Sequence, residues 1–600
     1  MAASSTTYWP EHSLLLPGAA AALALALAFE PGPSLAATRP NVLLILTDDQ
    51  GHGDVGFHQN PKIRTPSIDR LAREGVRFER FHVSPVCSPT RASLMTGRYC
   101  YRTGVVDTYL GRSMMFADEV TLAQMLAGGG YRTAIFGKWH LGDNYPMRAM
   151  DKGFQESLVL NGGGLAQPGD PPFPVHPDGA YFDPWLRHNG QWERQHGYVT
   201  DVLTDAALRF ISRQSSRPFF IYLAYNAPHV PLQVPEKYYA RYRDADLTVP
   251  QSGGHPVGRW DHETTARVYA MCECIDDNIG RLLARLDELK LAENTVVIFL
   301  TDNGPQQPRY NSGLLDLKGN THEGGVRVPF FVRWPGHFEA GRAVGRIAAH
   351  LDVAPTLLDL CGIPKPAGVR FDGISLVPLL KGESGDWPER TLYFQWHRGD
   401  VPELNRACAA VSQPYKLVQP RGAEGRAAAF PPPFELYDYA ADPLEMTNLA
   451  AAKPEVVARM REGYEAWFKD VTSGRDYSVP PRIWLGAPEQ AEVLLTRQDW
   501  RGPDAGWTPK SIGCWFVDVR RPGEYAVTLR FAKASQPAIA RLELGSVRAQ
   551  QEVGGGATTA IFPGLSLPPG PARLEAVLES AAGRTGMEYV EVRFLRETSP

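Results

Sequence analysis

The 600-residue sequence predicts an α/β domain built on a mainly parallel sheet, then a smaller α+β unit and a β-sandwich. Three observations predict this. Four short runs, Asn41–Thr47, 131–137, 219–225 and Thr295–Thr301, are almost continuously apolar, as in strands covered on both faces. Helical patterns over 68–74, 122–127, 200–212 and 264–289 alternate with them, which marks a parallel sheet. From about residue 490 the runs turn to apolar–polar alternation between Gly- and Pro-rich turns, as in a sandwich.

Each apolar run ends in polar residues: Asp48-Asp49, Lys138-Trp139-His140, Asn226-Ala227-Pro228-His229 and Asp302-Asn303-Gly304. In open α/β sheets ligands bind beyond the carboxyl ends of the strands, so these clusters can converge on one pocket. Beyond residue 382, 391–395 and 415–418 read as strands and 454–467 as a helix. The stretch 477–488 reads as a Pro-bearing connection, and 524–531, 540–544 and 588–595 as sandwich strands. The apolar stretch 14–29, broken by Pro17 and Gly18, is short for a membrane span and precedes Ser34-Leu35-Ala36, small residues suited to signal-peptidase cleavage. The expected units are therefore a signal peptide at 1–36, a catalytic domain at 37–382, its carboxyl-terminal subdomain at 383–476 and a β-sandwich at 490–600. The expected location is periplasmic or extracellular, with no stable membrane span, although residues 1–11 lack the usual Lys or Arg.

A formal net charge of −4 gives no reason to expect nucleic acid as a partner, so any anion site must be built locally. Seven cysteines are too few for a disulfide scaffold. Cys272 and Cys274 are read as an ordinary helical pair. Asp48, Asp49, Asp302 and Asn303 bring three carboxylates and an amide to strand ends, where they would repel one another without a cation. An all-oxygen donor set points to a hard ion, and a nearly all-protein cage to calcium over magnesium. The competing reading, helix or turn capping, suits either pair taken alone.

In Cys87-Ser88-Pro89-Thr90-Arg91, Ser88 is suited to an N-cap, Pro89 to the first turn and Gly97 to the helix end. Cys87 then sits at the positive end of a helix with Arg91 one turn along, a setting that lowers a thiol pKa. This stretch resembles the type I, formylglycine-dependent sulfatase family, whose C-x-P-x-R signature it carries. The second signature matches Gly130-Tyr131-Arg132-Thr133-Ala134-Ile135-Phe136-Gly137-Lys138-Trp139-His140. Thr47-Asp48-Asp49-Gln50-Gly51, Ala227-Pro228-His229, Thr301-Asp302-Asn303-Gly304, Leu317-Lys318-Gly319 and Glu323-Gly324-Gly325 follow in register. The likeness spans roughly residues 40–470.

The resemblance implies an alkaline-phosphatase-like fold and a sulfuric ester hydrolase of the arylsulfatase type. It implies that a formylglycine-generating enzyme converts Cys87 to Cα-formylglycine, whose hydrate attacks sulfur with one hydroxyl and keeps the other to expel sulfate. Asp48, Asp49, Asp302, Asn303 and the modified Cys87 would hold Ca2+. Arg91 would orient the diol, and Lys138 and Lys318 would neutralise the sulfuryl oxygens. His140 would be the base and His229 the acid for the leaving oxygen. His52, His322 and His350 are read as structural, with substrate contact as the alternative for His322.

Substrate choice is expected from the Gly/Pro-rich loop 161–179, read as a pocket wall or disordered. Trp484, Trp500, Trp507 and Trp515 would serve either sugar stacking in a carbohydrate-binding module or the sandwich core. With export, these features favour a sulfated carbohydrate over an aryl sulfate. The competing functions are a phosphate or phosphonate monoester hydrolase, and a glycan binder in which Cys87 stays a thiol.

Overall fold

The computed structural model describes residues 39–170, 173–213, 215–249, 253–383, 385–423 and 433–597, which form one compact unit. The expected signal peptide at 1–36 lies outside them. The central sheet is made of β1 (Asn41–Thr47), β2 (Val76–Phe78), β3 (Arg132–Lys138), β4 (Glu156–Leu160), β5 (Trp185–His188), β6 (Gln191–Arg194), β7 (Phe219–Ala224), β8 (Thr295–Thr301), β9 (Phe330–Arg333) and β10 (Ala343–Val344). Their order is β10-β2-β9-β8-β1-β7-β3-β4-β5-β6. The five central strands, β8 to β4, are parallel, and antiparallel pairings begin at β9 and at β5.

The four apolar runs are thus four of these five central strands. Every residue of β1, β7 and β8 is buried, as continuous hydrophobicity requires of strands covered on both faces. Helices α1 (Pro66–Glu74), α2 (Cys87–Thr96), α3 (Leu122–Gly128), α4 (Val199–Ser212) and α5 (His262–Glu288) account for the alternation. The antiparallel edge strands were not expected. They are short and partly exposed, so their sequences carry no run of apolar residues.

Leu392–Gln395, Cys408–Val411, Tyr415–Gln419 and Glu435–Asp438 form a four-stranded antiparallel sheet, with the helix Pro454–Ser473 following. Beyond it two antiparallel-rich sheets form the carboxyl-terminal β unit. One runs through Ile483–Leu485, Cys514–Val519, Gly570–Ser580, Ala538–Leu544 and Val547–Val553; the other through Glu492–Thr496, Tyr589–Glu597, Gly523–Arg530 and Thr559–Leu567. Gly523–Arg530 alternates buried and part-exposed residues along its whole length, the period-two pattern of a strand with one face in a core. Ile483–Leu485 falls inside the stretch read as a connection, and its three residues are too few to show a period. Trp500 and Trp515 are fully buried in this unit, so their rings pack its core. No helix among the described residues is long and apolar enough to cross a membrane.

Candidate active site

The carboxyl ends of β1, β3, β7 and β8 deliver Asp48 and Asp49, Lys138 and His140, His229, and Asp302 and Asn303 respectively. Asp49 has a left-handed backbone, φ 65°, a conformation Asp tolerates better than most residues. This turn breaks the alternation that would otherwise send neighbouring strand side chains to opposite faces. Arg309 holds the loop from outside by donating to both carboxylate oxygens of Asp54 and, at 2.9 Å, to the Asp49 carbonyl. At the end of β3, Gly137 has φ 119°, and a Cβ there would lie 1.8 Å from the Ala224 carbonyl oxygen. Only glycine lets β3 approach β7 this closely and present Lys138 and His140.

Lys138 Nζ donates to Asp48 Oδ2 at 2.6 Å, and Lys318 Nζ to Asp49 Oδ1 at 2.6 Å. Asn303 Nδ2 donates to Asp49 Oδ1 at 2.7 Å. The Arg91 guanidinium grips Asp302 Oδ2 through Nε at 3.1 Å and Nη2 at 2.7 Å, and donates to the Lys138 carbonyl at 2.8 Å. Its direct task in this geometry is to hold Asp302 rather than to touch position 87. Asp48 Oδ1, Asp49 Oδ2 and Asn303 Oδ1 are buried and accept no hydrogen bond. Three orphaned acceptors in one place cost free energy unless a cation takes them, so this donor set fits a hard metal ion. The imidazole of His229 stands beside them: its Nε2 lies 3.9 Å from Asp49 Oδ2, and a ligand atom each from Asp48, Asp49 and His229 fall within 4.8 Å of one another.

Burial resists the charged forms of Asp302, Asp49 and Lys318. It pushes Asp302 up to about 6, helped by Asp48, against the pull of Arg91. Burial acts the same way on Asp49, but Lys318 beside it holds that carboxyl well below the usual range. Lys318 in turn is driven upward by Asp49 despite its burial. Burial lowers His140 far below the ordinary imidazole range and His229 to about 3, so both rings are neutral.

Cys87 opens α2, and Gly97 ends it with φ 69°. Val86, not Ser88, occupies the N-cap position; the Ser88 hydroxyl is buried without a hydrogen-bond partner. Cys87 Sγ lies 3.5 Å from His140 Nδ1. Contrary to the expectation for a thiol at a helix start, burial pushes the Cys87 thiol up, outweighing Lys138 and Lys318. All seven cysteines are free and buried, Cys272 and Cys274 included.

The expected catalytic and metal residues therefore meet around one point. The structural reading of the other histidines also matches their surroundings. His52 stacks on His58 at 3.8 Å, His350 Nε2 pairs with the Ser84 hydroxyl at 3.1 Å, and His322 bridges Asp316 and Glu435 at 2.7 and 2.8 Å. Sequence reasoning missed two second contacts of the site: the Thr108 carbonyl, which accepts from His140 Nε2 at 2.6 Å, and Gln498, which donates to that same carbonyl at 2.9 Å. Neither carries a local signal. The described part of the loop 161–179 forms a wall: a Cβ on Gly163 would lie 2.6 Å from His140 Nε2, and one on Gly164 3.1 Å from His229 Cε1.

The model of the sulfatase family matches residues 40–363. The chain belongs to the sulfatase family. A second family model, for the carboxyl-terminal part of N-sulphoglucosamine sulphohydrolase, matches 312–467, so this sulfatase has residues 468–600 outside both. It is 34% identical to human arylsulfatase A over 498 residues, 74% of this chain and 90% of the relative. It is 33% identical to human N-acetylgalactosamine-6-sulfatase over 396 residues, 62% of this chain and 70% of the relative. Among solved structures it is similar to Ps i-CgsB in complex with k-i-k-neocarrahexaose, with a TM-score of 0.62, 27% identity, and 73% of this chain and 94% of that chain covered. Membership makes the sulfatase a sulfuric ester hydrolase with an alkaline-phosphatase-like fold.

Proposed function

We propose that this sulfatase hydrolyses sulfate monoesters of a carbohydrate, with the nucleophile generated at Cys87 and the metal held by Asp48, Asp49, Asp302 and Asn303. One observation carries the reading: three buried oxygens without partners lie among these four side chains, in the same site as a buried cysteine within reach of a neutral histidine. The carbohydrate assignment is supported by the N-acetylgalactosamine-6-sulfatase relatives and by the neocarrahexaose complex. Cα-formylglycine at position 87 supplies a hydroxyl nucleophile as its hydrate, and bound Ca2+ supplies Lewis-acid polarisation of a sulfate oxygen and activation of that hydroxyl.

The chain's own residues bind, neutralise and move protons. Lys138 and Lys318 offer ammonium groups to the sulfuryl oxygens where charge spreads in the transition state. Arg91 keeps Asp302 ionised and aimed despite its raised pKa. His140 presents Nδ1 to position 87, since its Nε2 faces a carbonyl and must carry the ring proton. That makes Nδ1 the proton acceptor at the position 87 hydroxyl. His229 has Nδ1 on the Val230 carbonyl at 2.7 Å and a bare Nε2. Approach of an anionic sulfate favours its protonated form, which then donates to the leaving oxygen.

Residues 1–36 are proposed as an export signal, 37–382 with 383–476 as the catalytic unit, and 490–600 as an added β domain. Maturation requires a formylglycine-generating enzyme as a transient partner.

The test is sulfate release from a panel of defined sulfated saccharides, with aryl sulfate and aryl phosphate run in parallel at matched calcium. Intact-mass analysis of the peptide spanning Cys87 runs alongside. Conversion of Cys87 with sulfate release is expected. Cys87→Ala abolishes turnover with the thermal unfolding midpoint unchanged. Activity of that variant near the parent's, or preference for the phosphate ester, overturns the reading.

A further inference from the structure

The carboxyl-terminal β unit reaches into the active site through one turn. After the strand Glu492–Thr496 the chain bends sharply: Gln498 N donates to Thr496 Oγ1 at 3.2 Å, and Trp515 Nε1 to the Thr496 carbonyl at 2.7 Å. The buried rings of Trp500 and Trp515, 5.6 Å apart, back the turn from within the unit. The turn is pinned to the catalytic domain on both sides. Gly111 N donates to the Gln498 carbonyl at 2.7 Å, and Arg501 Nη2 to the Gly111 carbonyl at 2.6 Å.

Between these pins the Gln498 side chain, 1% exposed, donates through Nε2 to the Thr108 carbonyl at 2.9 Å and lies 3.2 Å from Ser113 Oγ. Its Nε2 is 3.4 Å from His140 Nε2. The Thr108 carbonyl has two lone pairs and two donors, His140 at 2.6 Å and Gln498 at 2.9 Å. A carbonyl in an irregular loop is free to swing unless something holds it, and it is this carbonyl that keeps the ring proton on His140 Nε2.

We propose that Gln498 is a positioning residue for His140, supplied by the added β unit: it anchors the Thr108 carbonyl so that His140 keeps its proton on Nε2 and a bare Nδ1 toward position 87. The β unit is then part of the catalytic machinery and not a detachable module. The inference rests on the reading of His140 as the base at position 87, and it adds a part that lies outside both family models. The general rule is that the outer partner of a histidine decides which nitrogen is available for chemistry.

The experiment uses the full chain with Cys87 converted and calcium bound. Gln498→Met keeps the volume and removes the donor; Gln498→Ala, the second variant, relieves any packing conflict. Each lowers kcat about 10–100-fold, the scale of losing the outer partner that orients a functional histidine, while KM changes less than about threefold. Calcium content and thermal midpoint stay at the parent's values. Arg541→Ala, which breaks an exposed pair with Glu579 on the same β unit, leaves kcat unchanged. In a His140→Ala background Gln498→Met costs less than about twofold more, because the residue it serves is gone. Parent-like kcat in both Gln498 variants, or their full effect persisting without His140, overturns the proposal and leaves His140 standing as the base. Parent-like kcat in His140→Ala alone overturns the underlying reading as well.

Discussion

Two fully buried carboxylates, Asp302 and Glu323, both fall within motifs shared with the sulfatases, yet their surroundings treat them oppositely. Glu323 is closed in by partners. Its Oε1 accepts from Lys416 Nζ at 2.7 Å and His82 Nε2 at 3.1 Å, its Oε2 from the Tyr439 hydroxyl at 2.8 Å. Burial opposes its charge, but Lys416 and His82 hold the carboxyl well below the usual range. Asp302 has Arg91 on one oxygen and the Asp49 N–H on the other at 3.3 Å, but burial, with Asp48 beside it, drives it up to about 6. Around Asp302 the acceptors on Asp48, Asp49 and Asn303 remain open, whereas beside Glu323 the Glu445 Oε1 without a hydrogen bond faces the Lys416 ammonium at 2.8 Å. A buried cluster whose carboxylates are matched by cations and donors holds a fold together. A buried group of charges left short of donors is built for something that arrives later.

This contrast can be broken most directly at Asp302. Asp302→Asn lowers activity about 10²–10³-fold, the scale of losing one preorganised electrostatic group, and weakens calcium binding in parallel. The metal-free variant loses little stability: the raised carboxyl opposes folding at pH 7, and its neutralisation offsets the loss of the anion that Arg91 holds. Calorimetric calcium titration and chemical denaturation of the metal-free protein check both halves, and retained calcium with full activity removes Asp302 from the cage.

Glu323→Gln should do the reverse. It leaves Lys416 with Glu445 at 2.8 Å as its one carboxylate partner here and destabilises by about 3 kcal/mol, with no rescue by calcium. A melt unchanged from the parent's would show that the closed cluster contributes nothing.

Next to Glu323, His322 gives the closed region a pH dependence. Burial opposes its charging, but hydrogen bonds to Asp316 and Glu435 outweigh this and raise it to about 9. A raised imidazole contributes stability fully below about pH 6.5 and loses it as pH climbs through about 9. The loss across that window is about 2–3 kcal/mol, allowing for the partial exposure of both carboxylates. Denaturation series at pH 6 and 9.5 should show it, and His322→Gln should flatten it.

The smallest effect is expected at the wall of the open site. Gly163→Ala places a methyl 2.6 Å from His140 Nε2, where Thr108 and Gln498 leave the ring little room to yield. A roughly tenfold fall in kcat, about 1.4 kcal/mol in the barrier, should appear in steady-state kinetics with stability nearly unchanged. Unaltered turnover would mean the loop moves aside.

Much of this was legible in the chain. Strands buried on both faces must be apolar throughout, so β1, β3, β7 and β8 announce themselves, and the polar residues that end each run are the residues that meet. The motif glycines, such as Gly137, are required by backbone approach and are legible as well. Short, half-exposed strands near the sheet's edge such as Trp185–His188 left no such trace.

By itself, the sequence determined the central sheet, the residues assembled at its carboxyl edge and the sulfatase family, because hydrophobic period and motif order are local properties of the chain. Only the tertiary structure decided which cluster of buried carboxylates is matched by partners and which keeps open acceptors, that the Cys87 thiol is raised and not lowered, and that Gln498 stands behind His140. These depend on burial and on contacts between residues hundreds of positions apart, and the free energy of a charge or a hydrogen bond is set by that surrounding rather than by its neighbours in the chain.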